Sequence, residues 1–185
     1  VAIEFVHETG TGSATSTSYA FDTEADQYME NTGRKDEWKS FSSNERKAAL
    51  NAATLYMDDT YGDRYCGVLP ESTKDIQALL WPREEVPNNR GGFYPGLGSE
   101  IPDVVHEACT EFALAYLQNG NQSLYPATVQ DGRTVKRALV RVEGAVTKET
   151  EYDGGITQPA KRSYPLANAK IRQVITPVSR YLLRA

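Results

Sequence analysis

The run from Ile101 to Leu117 constrains this chain more than any other segment, because it reads as a helix with most of its surface covered. Pro102 stands at the first helical position, where a missing N–H costs nothing. Asp103 and Glu107 place negative charge near the positive end of the helix dipole, and Asn119-Gly120 supplies the stop. Ile101, Val104, Val105, Ala108, Phe112, Ala115 and Tyr116 recur at helical spacing and form one apolar face. From Phe112 to Leu117 the helix is apolar on every side, so other elements must wrap its second half. The expected fold is therefore mainly α, a small helical bundle around a central helix at about 101–118.

The other elements are arranged around that post. Val1–Val6 is a short apolar run. The small polar residues from Thr9 to Ser18 bury little, which predicts a flexible N-terminal arm over 1–18. Asp22 is placed to cap a helix over about 23–31. Ser42 and Glu45 form a capping box ahead of a second helix over about 43–60, whose alanines allow close approach of another helix. Ser72–Leu80 reads as a further turn or two of helix, stopped at Trp81-Pro82-Arg83. Residues 84–100 form a loop longer than plain connectors use, marking a surface loop with a role of its own or a disordered tip.

Beyond the central helix the pattern becomes extended. Val135, Leu139, Val140, Val142, Val146 and Thr150 suggest a β-hairpin over 134–152, with its turn at Glu143-Gly144. Lys136, Arg137, Arg141 and Lys148 lie along it and could face a nucleic-acid backbone or an acidic neighbour. Tyr164-Pro165 opens a last helix, which Pro177 ends or kinks. The domain assignment is an arm at 1–18, a helical domain at 19–176 that includes the hairpin, and an extended C-terminal tail at 177–185.

Charge is unevenly distributed. Residues 1–119 hold 20 acids and 9 bases, whereas residues 120–185 hold 5 acids and 11 bases. An assembling subunit could lay its basic end against another copy's acidic body. Eleven tyrosines and a mean hydropathy of −0.54 point the same way, toward contact surfaces. Two cysteines, Cys66 and Cys109, make no disulfide framework. No apolar run reaches the length of a membrane span, so a soluble protein of the cytosol is expected.

No catalytic constellation emerges. His7 and His106 are the only histidines, one in the polar lead-in and one on the central helix, and neither has a sequence neighbour that completes a triad or metal site. Asp58-Asp59 and Glu84-Glu85 resemble solvated surface, and there is no P-loop, Ser elbow or H-E-x-x-H. The expectation is a non-enzymatic protein with no cofactor and no metal.

Several segments, taken in order, carry a resemblance: Tyr19 to Tyr28, Ala52 to Gly62 with its Tyr-Gly helix end, Ala78 to Arg83 with its Trp-Pro-Arg step, Ile101-Pro102 and Tyr164-Pro165. Over about residues 15–176 the chain resembles tailed-phage head–tail adaptor (head completion or connector) proteins. That group is also labelled as DnaT-like single-stranded-DNA-binding proteins. The resemblance implies a virion protein assembled in the host cytoplasm, forming a ring, typically of twelve copies, below the portal. Its partners would be itself, the portal protein, tail or neck proteins, and DNA passing through the channel without sequence-specific binding; no membrane is involved. Arg180, Tyr181, Leu182, Leu183 and Arg184 would dock on the portal. Trp81, Arg83, Arg90, Phe93 and Tyr94 would supply subunit or neck contacts.

The two labels make different physical demands. A single-strand binder needs cations together with aromatic rings on which bases stack, whereas a channel component needs a lumen along which DNA slides. The acidic body favours the adaptor, with single-stranded-DNA binding as the alternative and a scaffolding or tail-assembly chaperone as a third class.

Overall fold

The computed structural model describes residues 4–121, 123–125 and 163–176, and the backbone of two strands at 135–143 and 145–152. The chain divides into two compact units, one of Val1–Leu124 with Tyr164–Ala185 and the other of Tyr125–Ser163. The first unit contains helices α1 (Asp22–Asn31), α2 (Lys35–Lys39), α3 (Ser43–Tyr61), α4 (Asp103–Gln118) and α5 (Pro165–Ile171).

The centre is the packing of α3 and α5 on α4. Ala49, Ala53, Ala108 and Cys109 are fully buried, and these small side chains let the backbones of α3 and α4 approach. The Cys109 thiol lies 3.4 Å from the Thr54 hydroxyl, and burial pushes its pKa up to about 11, so it is an inert core group. Rings close the end of this core. Phe112 meets Tyr56 and Tyr164 edge-on at centroid separations of 5.1 and 5.5 Å. Tyr19, Tyr56, Tyr61 and Tyr65 are all buried, so much of the tyrosine content serves the core and not contact surfaces.

The capping box at the start of α3 is formed. Ser42 N–H donates to Glu45 Oε2 at 2.8 Å, and Glu45 N–H donates to the Ser42 hydroxyl at 3.3 Å. At α4 the cap is Pro102 itself, and at the far end Gly120 takes a φ of +66°.

Five expectations are corrected. The hairpin expected within the helical domain is not there: the described residues of the helical unit hold no strand, only isolated bridges such as Tyr65 with Ile175. The antiparallel strands β1 (Val135–Glu143) and β2 (Ala145–Tyr152) belong to the other unit. A bundle that includes a hairpin and extends an N-terminal arm is therefore not the architecture.

The arm is the second correction, since residues 5–20 are packed in place. The Glu8 side chain is wholly buried and accepts N–H groups from Gly10, Thr11, Gly12 and Ser13 and the hydroxyl of Ser16, all within 2.9–3.0 Å. Gly10 and Gly12 have φ of +87° and +70°, and a Cβ on Gly10 would lie 1.7 Å from Ser99 O. One carboxylate thus gathers a run of peptide N–H groups into a nest. The expected C-terminal tail at 177–185 lies outside the described residues.

Third, residues 72–80 form turns and not a helix, because Ala78 N–H leaves the turn to bond Ser13 O at 2.9 Å. Fourth, α5 is shorter than its apolar pattern suggests. Past Ile171 the chain pairs with residues 64–66, Cys66 N–H donating to Val174 O at 2.9 Å and Thr176 N–H to Arg64 O at 2.8 Å.

Asp58 is not solvated surface either. Its carboxylate accepts the Tyr19 hydroxyl at 2.5 Å and Leu80 N–H at 3.2 Å, and burial pushes its pKa up to about 6. A carboxyl whose folded pKa exceeds its unfolded value stabilises the fold while protonated. That contribution is complete below about pH 4 and lost as pH rises through about 6. Urea unfolding of the wild type and Asp58→Asn checks this. The wild type should gain up to about 2–3 kcal/mol relative to the variant between pH 7 and pH 4; a pH-independent difference would mean that the carboxyl titrates normally.

Candidate functional site

The start of α4 and the loop before it enclose an open cleft of about 790 Å³, lined among others by Asn88, Arg90, Phe93, Tyr94, Glu100 and Asp103. The loop is ordered by one side chain. Asn88 Oδ1 accepts the N–H groups of Arg90 and Gly92 at 2.9 and 3.0 Å, while its Nδ2 donates to Phe93 O at 3.0 Å. Asn is suited to this, since its short amide reproduces a backbone turn. Gly91, at φ +82°, sits at the tip, and Tyr94 N–H closes the base on Val86 O at 2.8 Å. Asn89 Nδ2 ties the loop to Gln173 Oε1 at 2.9 Å.

This scaffold leaves Phe93 65 % exposed, the highest value among the exposed large apolar side chains of the described residues. Tyr94 is half-buried beside it, and Arg90 is exposed. Among the described lining residues Arg90 is the only cation, and Glu100 and Asp103 add two carboxylates at the rim. The cleft therefore suits a flat, unsaturated ring better than a run of phosphates: a ring can lie on Phe93 while Asn and Arg groups offer donors at its edge.

The contact residues named from the sequence separate into groups. Arg90, Phe93 and Tyr94 converge on the cleft. Trp81 has no exposed surface and meets Tyr65 edge-on at 5.7 Å, so it is a core residue with nothing to offer a neighbour. Arg83 is turned inward as well. Its Nε and Nη2 donate to Cys66 O and Gly67 O at 2.9 and 3.0 Å, which pins the turn at 66–67. Lys136, Arg137, Arg141 and Lys148 lie on the two paired strands, and their side chains are outside the described residues, as are Arg180, Tyr181, Leu182, Leu183 and Arg184. Asn88 and Asn89 were not singled out, although Asn-Asn before Gly-Gly is a turn signal.

Among the described residues, no helix is long and apolar enough to cross a membrane. A family model described as "Putative DnaT-like ssDNA binding protein" matches residues 3–185. No curated protein and no solved structure matches the chain. Of the two descriptions attached to the resemblance, the family match carries the DNA-binding one and gives no support to the adaptor one.

Proposed function

The chain belongs to the family described as putative DnaT-like ssDNA-binding proteins, and from that premise we propose that it binds single-stranded DNA with bases stacked in the cleft at the start of α4. The observation that carries this reading is the rigid presentation of an exposed Phe93, flanked by Tyr94 and Arg90, on a loop that one asparagine holds in shape. Unpaired bases expose π-faces that a duplex hides, so such a platform distinguishes single from double strands without reading sequence. With one cation and two carboxylates among its described lining residues, the cleft supplies affinity through stacking more than through charge.

The test is an anisotropy titration with a labelled oligothymidine. Phe93→Ala should weaken binding by about 1–3 kcal/mol, roughly 5- to 150-fold. Arg90→Ala should cost less and flatten the log–log salt slope by about 0.7 for its one phosphate. Unchanged affinity in Phe93→Ala would remove the cleft from the interface.

The charge polarity, with 20 acids against 9 bases up to residue 119 and 5 against 11 beyond it, supports a second reading. In that reading copies join acidic face to basic face as a ring adaptor between a phage head and its tail, with portal and neck proteins as partners. The same titration separates the two. A channel component lets DNA slide and gives no saturable binding at physiological salt.

A further inference from the structure

We propose that His7, Glu24 and His106 form a binding site for one divalent transition-metal ion of the zinc class. The three residues are far apart in sequence and come from three places, the N-terminal segment, the first turn of α1 and the first turns of α4. One nitrogen from each imidazole and one oxygen from the carboxylate lie within 4.8 Å of one another. Glu24 Oε2 is 3.6 Å from His7 Nε2 and 3.5 Å from His106 Nδ1. Ligand atoms about 2.0–2.2 Å from a tetrahedral zinc stand roughly 3.3 Å apart, so small side-chain adjustments complete the set.

A second observation points the same way. His7 Nε2, the ring nitrogen that faces Glu24, is buried and has no hydrogen-bond partner. A buried ring nitrogen without a partner costs free energy and requires a reason, and a coordinated cation supplies one. The Phe21 ring lies 5.4 Å from the His7 ring, tilted against it. Phe21 N–H, donating to Glu24 Oε2 at 2.9 Å, fixes the oxygen that faces the two imidazoles. Two imidazoles and a carboxylate select late first-row divalent ions over magnesium or calcium.

Bound there, the ion would fasten the N-terminal segment to α1 and α4. The experiment uses the full chain, stripped with a chelator, dialysed, and titrated with Co²⁺ and then Zn²⁺. We expect one equivalent of cobalt with the intense visible bands of tetrahedral coordination, displaced by zinc. At a hundredfold excess of zinc over Kd, Tm should rise by about 5–10 °C. His7→Gln and Glu24→Gln should each weaken binding at least tenfold, and Cys66→Ser, which removes the half-buried thiol, should leave it intact. His106→Gln alters a core helix, so the His7 variant, with its native circular dichroism verified, is the deciding one. Failure of the wild type to saturate with one equivalent, retention of binding in His7→Gln, or its loss in Cys66→Ser would each overturn the proposal.

Discussion

Glu8→Ala should destabilise the helical unit by about 3–5 kcal/mol, a fall of roughly 10–15 °C in Tm for a chain of this length. The wild-type carboxylate is wholly buried and receives five donors, four of them consecutive peptide N–H groups. Its removal leaves donors stranded, at about 1–3 kcal/mol each where water cannot reach. Gly10 and Gly12 are the buried ones; Thr11 and Ser13 lie nearer the surface and can hydrate, which keeps the total below the sum of five. Glu8→Gln should cost about half as much. Its carbonyl oxygen can keep three N–H partners, but its amide faces Ser13 N–H donor to donor. The consequence extends beyond the loop, because Gly98 N–H donates to Gly10 O at 2.8 Å and so fixes the approach to α4 and the cleft. Urea unfolding within about 1 kcal/mol of wild type for Glu8→Ala would show that the nest does not hold the segment.

Glu111→Ala is expected to cost a similar amount, about 3 kcal/mol, by a different mechanism. Glu111 sits on α4 with its side chain 5 % exposed, paired with both terminal nitrogens of Arg34 and accepting the Tyr28 hydroxyl at 2.7 Å. The hydrogen bonds to Glu111 hold the Arg34 pKa above its ordinary value, while burial followed by Glu111 raises that of Tyr28. Truncating the carboxylate leaves a guanidinium and a phenol facing a void, and this uncompensated charge is the larger part of the loss. Arg34→Ala combined with Glu111→Ala should therefore cost clearly less than the two single changes added together. A double-mutant cycle measures that coupling, expected at about 2 kcal/mol because the Arg34 side chain is still a quarter exposed. Strict additivity would mean that Glu111 acts only through packing.

These two acids show where the sequence stops informing. The α4 helix and the Ser42–Glu45 box were legible because periodicity and capping are local patterns with fixed spacing. Glu8 gave no such signal, since a single acid ahead of small polar residues looks the same whether it is solvated or organises them. Glu111 reads as one charged position on an apolar helix until Arg34 and Tyr28, about eighty residues away, arrive beside it. His7 and His106 were set aside for the same reason, because the carboxylate between them comes from α1.

The cleft was half legible. Its loop was marked by length, and Arg90, Phe93 and Tyr94 within it were named through the resemblance. The resemblance grouped Trp81 and Arg83 with them, and in a sequence a buried aromatic–Arg pair looks the same as an exposed one. Burial alone separates them, with Trp81 fully enclosed and Phe93 largely exposed. Placing the hairpin in the helical domain failed for a related reason, since alternation reports extended backbone and says nothing about which unit the strands join.

Whether bases stack in the cleft is tested most directly by the wild-type affinity for oligothymidine, measured across a salt series beside a duplex of the same length. Stacking on Phe93 with one cation predicts saturable binding that persists at physiological salt. It also predicts a shallow log–log slope of about −0.7, that of a single phosphate contact, and much weaker binding of the duplex. Equal affinity for single strand and duplex, or no saturable binding of the single strand at all, would contradict it.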